Sequence, residues 1–258
     1  MLPDNLHIGP IAIHWFGIFF ALAILVGLWA ASREFARRGL SPDLATTTVL
    51  CAVLGGLAGA RLWIVLEDWP SFVRAPGTFL LAGGGLAWYG GLIGGVIAVT
   101  VLFRVRGVPW LLGADALAPA IIIGQAIGRL GCQVSGDGDW GTETKLPWGM
   151  AYPYAVVGWD KPPGVRVHPT PLYECAAYLA IFLILVRRRR ASPPVGTQFA
   201  SYLVLAGLAR FAVDFVRINP RVLAGLTVAQ LMSLASIAVG AVMLLQSRKS
   251  RPPAASTS

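Results

Sequence analysis

The sequence predicts an all-α polytopic membrane protein: seven transmembrane helices, N-terminus outside, C-terminus cytoplasmic. Three observations predict it. Hydrophobic residues make up 56% of the 258-residue chain and charged residues 13%, about half the charged share of a soluble domain. Mean hydropathy is +0.67. Seven apolar stretches succeed one another at 11–31, 46–66, 86–103, 112–132, 172–186, 197–216 and 226–246, most of them near the ~20 residues a bilayer core demands. Basic residues gather in alternate connections, which sets the orientation. The net charge of +9 therefore reads as a membrane-surface feature, with no nucleic acid implied.

The first stretch is followed by Arg33, Arg37 and Arg38 and lacks a small-residue cleavage site, so it reads as a retained helix rather than a removed signal. The second carries "GGLAGAR", which places Arg61 at mid-span. The third opens on "GGGLAWYGGLIGG" (83–95) and ends at Arg104 and Arg106. In it Gly94 and Gly95 suit close helix packing, whereas Gly90 and Gly91, with Tyr89, fall where a polar cavity would open. The fourth ends in "GRLGCQVSGDGDWG", with Arg129 near its outer end. The longest connection, 133–171, follows. Its Trp140, Trp148, Tyr152, Tyr154 and Trp159 read as interfacial aromatics. It closes on "VHPTPLYE", which puts His168 close to Tyr173 and Glu174 at the start of the fifth span; Arg187 to Arg190 follow that span. The sixth contains "LARFAVDFVR", where Arg210 and Asp214 stand four apart on one helix face and suit an internal ion pair. Arg248, Lys249 and Arg251 follow the seventh, bringing the cytoplasmic connections to twelve basic residues against six on the other side: Arg74, Lys145, Lys161, Arg166, Arg217 and Arg221. No linker or internal repeat divides the chain, so residues 1–258 read as one domain with an outer loop at 133–171.

An arginine inside a membrane helix costs about 2.5–3.5 kcal/mol on insertion scales and is normally aimed at a polar partner or cavity. Taken singly, Arg61, Arg129 and Arg210 are also compatible with pairing to a carboxylate or with snorkelling. Together with Glu174 and Asp214 they imply a polar interior, and all lie at a depth where they can converge on one anion. The loop after Arg129 supplies exposed backbone donors around Ser135, Gly136 and Asp137, the kind of place that binds an anion's oxygens. A phospholipid phosphate is the natural occupant of such a pocket in a bilayer. His168 suits a general base or an orienting group. Cys51, Cys132 and Cys175 show no metal spacing, and no cofactor or nucleotide motif appears. Cys132 and Cys175 both fall near the outer face, where a disulfide is compatible with the surroundings.

These residues resemble the bacterial prolipoprotein diacylglyceryl transferase family. The resemblance runs in order through "IGPIAIHWFG", "GARLW", "YGGLIGG", "GRLGCQVSGDGDWG", "HPTPLYE", "ARFAVDFVR" and "LTVAQLMS". It implies a multi-pass enzyme of the bacterial inner membrane that moves the diacylglyceryl group of phosphatidylglycerol to the lipobox cysteine thiol of a prelipoprotein. A thioether forms and glycerol phosphate leaves. The partners implied are phosphatidylglycerol, prelipoprotein signal peptides and the lipid bilayer. Arg129 and Arg210 match the family's phosphate-binding arginines, Asp137 its loop carboxylate and Asp214 the carboxylate one turn beyond the second arginine; Arg61 matches a further position in the second span. The resemblance also shows departures: Phe16 and Ala206 stand where well-known members have tyrosine, Tyr89 where they have histidine and Cys132 where they have asparagine. Tyr89 in place of that histidine leaves Tyr89 and His168 as alternatives for handling the proton. Two other classes remain compatible with the same arginines: a small-anion transporter, and a lipid-binding relative without activity.

Overall fold

The computed structural model describes residues 5–8, 11–77 and 87–249. Its helices are α1 (Trp15–Arg37), α2 (Pro42–Glu67), a short α3 (Trp69–Arg74), α4 (Trp88–Val105), α5 (Trp110–Ser135), α6 (Thr170–Arg188), α7 (Thr197–Val213) and α8 (Val228–Lys249). Six of them, α1, α2, α5, α6, α7 and α8, are long and apolar enough to cross a membrane; α4 is apolar but shorter. The protein is thus a mostly helical, multi-pass membrane protein.

The start of the first span needs one correction. Asn5–Ile8 and Ile11–His14 form an antiparallel hairpin, so α1 starts at Trp15 rather than at 11. Alternating "IAIH" suits a strand of period two better than the start of a helix. A second hairpin pairs Arg221–Leu223 with Leu226–Thr227. Its turn residues Ala224 and Gly225 both have positive φ, 49° and 74°, as a tight hairpin turn requires.

The chain divides into two compact units, Met1–Ala30 with Ala114–Ser258, and Ala31–Gly113. The second is built on α2 against α4. A Cβ placed on Gly94 would lie 2.2 Å from the Gly55 carbonyl oxygen, and one on Gly59 2.3 Å from that of Gly90. Two backbones meet there with no room for a side chain, which is how small residues drive helix association where lipid removes the hydrophobic incentive.

In the first unit, Ala118, Ile122 and Ala126 of α5 pack on Cys175, Tyr178, Ile181 and Leu185 of α6, with Phe199, Tyr202 and Leu205 of α7 alongside. At one end of this core, fully buried Asp115 reaches from α5 to the start of α7, accepting from Gly196 N–H at 2.8 Å and Phe199 N–H at 2.7 Å. A carboxylate there satisfies orphan donors and meets the positive end of the helix dipole. At the other end, α5 finishes, α6 begins and α7 finishes beside the segment 136–169.

That segment is a folded cap. Trp140, Tyr152, Ala155 and Val167 form its small core, with the Trp140 and Tyr152 rings 5.0 Å apart and the Trp140 and Trp159 rings 5.3 Å apart. Trp140 and Tyr152, expected as interfacial aromatics, are buried within the cap, while Trp148 and Tyr154 are exposed. Aromatic density cannot separate these two uses, because both bury a large ring and leave a polar edge to be satisfied.

Asp115→Ala should lower stability by about 2–3 kcal/mol, since it strips two charge-assisted bonds from the α7 terminus; thermal unfolding in detergent measures this. Gly94→Val should abolish monodisperse folded protein on size exclusion, because no shift of a flexible side chain can relieve a backbone contact.

Candidate active site

At the end of the core where α5, α6 and α7 meet the cap, three arginines and three carboxylates form one network. Its centre is Glu174, in the first turn and a half of α6 and fully buried. Glu174 accepts from Arg210 Nη1 at 2.6 Å and Arg217 Nη1 at 3.3 Å and pairs with Arg129 Nε at 2.8 Å. Asp214, buried in the 3₁₀ turn after α7, lies 3.1 Å from Arg210 Nη2 and 4.0 Å from Arg217 Nε. Asp139 of the cap bridges Arg129 Nη1 and Arg217 Nη2. Three positive charges face three negative ones.

The local sequence explains how each group arrives. Arg210 and Asp214 share a face at the end of α7, and the 3₁₀ turn carries the chain to Arg217 three residues on. Gly136 (φ 63°) and Gly138 (φ 91°) let the chain reverse after α5 in a region L side chains avoid, which returns Asp139 toward Arg129. Gly141 closes the turn against Val216: a Cβ on it would lie 2.3 Å from that carbonyl oxygen. Asp214 also accepts from Asn219 Nδ2 at 2.7 Å and from the Thr227 hydroxyl. Thr227 and Gln230 exchange bonds of 3.1 Å at the head of α8, each side chain accepting from the other's N–H, as a capping box does.

Four of the residues expected from sequence, Arg129, Arg210, Glu174 and Asp214, are brought together. Asp137 lies beside the network, accepting from the Asp139 N–H at 3.3 Å; Ser135 spends its hydroxyl on the Gly131 carbonyl oxygen at 2.9 Å. Tyr173 accepts from Trp148 Nε1 at 2.8 Å and stands 3.2 Å from His168 Nδ1. Together with Leu146, Val213 and Val216 these line an open apolar recess of about 490 Å³. Arg61, Tyr89, Gly90 and Gly91 belong to the Ala31–Gly113 unit. Tyr89 packs near Trp63, ring centroids 6.4 Å apart, and Gly90 meets the Gly59 backbone, so it serves helix packing. Cys132 and Cys175 are free thiols.

Arg217 and Asp139 are the members that sequence reasoning missed. Arg217 sits one turn past Asp214 and reads as a surface charge on a span-end count. Asp139 stands two residues after Asp137, and "GDGD" offers either for the same role. Their electrostatics differ. Burial pushes the Asp139 carboxyl up, but Arg217 and Arg129 outweigh it and hold the group below the usual carboxylate range. Burial raises Asp137, with too little positive charge nearby to offset it.

One group of possible metal ligands occurs among the described residues: Cys132, Asp137 and Asp139, with ligand atoms within 4.8 Å of one another. Two guanidinium groups already hold Asp139, so a cation there would compete with both.

Fold and site define a multi-pass membrane protein with a balanced, buried arginine–carboxylate network at one end of its helices. The chain belongs to the prolipoprotein diacylglyceryl transferase family, whose model matches residues 3–246. Relatives named phosphatidylglycerol–prolipoprotein diacylglyceryl transferase include one from Nostoc sp., 34% identical over 92% of this chain and 86% of the relative. Another, from Bacillus cereus (strain 03BB102), is 34% identical over 94% of this chain and 90% of the relative.

Asp139→Asn should destabilise the protein by about 1.5–3 kcal/mol, the worth of charge-assisted bonds at a partly buried carboxylate, whereas Asp137→Asn should be neutral or slightly stabilising. Because the folded Asp139 pKa is lowered, its contribution should be constant from neutral pH down to about 4 and fade below that, as the carboxyl protonates. Denaturant titrations of both variants across pH check the two signs.

Proposed function

We propose that the chain transfers the diacylglyceryl group of phosphatidylglycerol to the cysteine thiol of a prelipoprotein, with seven membrane crossings, an outside N-terminus and the site at the outer face of a bacterial inner membrane. The sulfur attacks the glycerol carbon that bears the phosphate. A C–S bond forms, the C–O bond breaks, and its electron pair leaves on glycerol phosphate. A thiol with an ordinary pKa near 8.5 is a few per cent thiolate at neutral pH and intrinsically nucleophilic. The demanding part is the charge that develops on the departing phosphate, and fixed donors in a water-poor site are the strongest means of stabilising it.

One observation carries this reading. Arg129 and Arg210, from different helices, converge on the same buried Glu174 while their side chains remain 23% and 21% accessible. Glu174 orients both. Arg129 Nη2 and Arg210 Nε make no bond among the described residues, so each guanidinium keeps a donor for a phosphate oxygen. Arg217, at 6%, is the inner brace, tying Asp139, Glu174 and Asp214 together. Ser135, Gly136 and Asp137 frame the mouth, and Tyr173 and His168 line the adjoining recess. Taken by itself, the Ala31–Gly113 unit offers Arg61, Tyr89 and Gly91 for contact with lipid.

Purified protein given phosphatidylglycerol and a lipobox peptide should yield a peptide heavier by one diacylglyceryl group, read by mass spectrometry, with glycerol phosphate released in equal amount. Arg129→Ala should cut the rate by about 10²–10³, the loss expected for one charge-stabilising donor. An unmodified peptide with the wild-type chain refutes the reading.

A further inference from the structure

Trp148, Tyr173 and His168 form one hydrogen-bonded cluster. An indole N–H can only donate, so the Trp148 contact at 2.8 Å makes the Tyr173 oxygen an acceptor. The phenol keeps its own hydrogen to donate, and His168 Nδ1 stands 3.2 Å away, with the direction of that contact set by the imidazole tautomer. Where the phenol donates, Nδ1 carries no proton and a neutral imidazole holds its proton on Nε2. In that arrangement Nδ1 is occupied and Nε2 already protonated, which leaves no nitrogen for a general base.

We propose that His168 is a neutral hydrogen-bond donor, set in the Nε2–H form by Tyr173, and that it binds the carbonyl oxygen of a fatty-acyl ester whose chain lies in the apolar recess beside it. The proposal rests on the transfer reading above. The walls of the recess are Leu146 and Trp148 of the cap and Val213 and Val216 at the end of α7, so it lies where a membrane span ends, the depth of a phospholipid's ester groups. It also adjoins the ion-pair network: Tyr173 precedes Glu174, Val213 precedes Asp214 and Val216 precedes Arg217. Phosphate and ester carbonyl of one lipid are only a few bonds apart, so a lipid held by the arginines brings its carbonyl to this wall. One donor in an otherwise apolar surface matches one uncharged oxygen on an aliphatic chain. Tyr173 is a positioning residue that acts through His168.

The chain has three histidines, so its imidazole nitrogens can be resolved in ¹⁵N-histidine-labelled protein in nanodiscs. His168→Gln assigns the resonances. At neutral pH His168 should show an unprotonated Nδ1 and a protonated Nε2, and Tyr173→Phe should bring in the opposite tautomer. An Nδ1–H form or an imidazolium in the wild type overturns the proposal. Ester-linked phosphatidylglycerol should shift the Nε2 resonance and the dialkyl-ether analogue should not; equal shifts refute the carbonyl contact. In turnover, the ether lipid should raise KM by roughly 3–10-fold in the wild type, the worth of one hydrogen bond, and His168→Ala should erase that difference. His168→Gln, which keeps a donor but cannot act as a base, should retain kcat. Loss of kcat in Gln and Ala alike assigns a base and overturns the donor role. A higher KM for the peptide, with ester and ether lipids still distinguished, assigns the recess to the acceptor and overturns it as well. No turnover with either lipid refutes the transfer reading alone, because the spectra need no turnover.

Discussion

The end of the bundle depends on Glu174. A fully buried carboxylate is costly unless charge and hydrogen bonds compensate it, and here three guanidinium groups do so from three directions. The same constraint runs in reverse. Arg129 and Arg210, carried on apolar helices, are tolerable there only because Glu174, Asp139 or Asp214 meets them. Neither set of residues would be stable without the other, so the ends of α5, α6 and α7 and the first turn of the cap are fixed together. Helices brought to one point by charge need little further packing there, and the apolar core can lie deeper, between Ala118 and Leu185.

Charge balance shapes the chemistry. With three cations against three anions the network is neutral, so on the proposed reading a phosphate is held by placed donors and not by excess positive charge. What the site offers is unspent donors, Arg129 Nη2 and Arg210 Nε, held rigid by bonds on the other edges of the same planar groups. This is preorganisation: the donors need not reorient as charge grows on a leaving oxygen. Arginine suits the task because its fork can serve a carboxylate and a second oxyanion at once, which an ammonium cannot do with fixed geometry.

Much of this was legible in the sequence. Hydropathy located the apolar helices within a few residues, and the rarity of charge inside apolar spans singled out Arg129, Arg210, Glu174 and Asp214. The i, i+4 spacing of Arg210 and Asp214 foretold their pairing, since helix geometry is local. The misses were non-local. Whether Asp137 or Asp139 turns inward depends on Gly136 and Gly138 bending the chain, which spacing alone does not reveal. Arg217 was counted as a surface charge because it follows the last apolar residues, and only the 3₁₀ turn sends it back. The aromatics of the cap were read as a membrane belt because ring density says nothing of which neighbours cover the rings. Gly90 was set apart for a cavity, yet its place opposite Gly59 is settled by α2, thirty residues earlier.

The joint at Thr227 has its own consequence. Its hydroxyl donates to Asp214 while its oxygen caps the first turn of α8, so a terminal helix that contributes no charge to the network is nonetheless hinged on it. Inserting a reporter, epitope or permuted terminus into the connection between 217 and 227 would disturb the arginine cluster from behind, although that hairpin is exposed on its outer side. The hairpin therefore looks like a free surface loop and is mechanically part of the site.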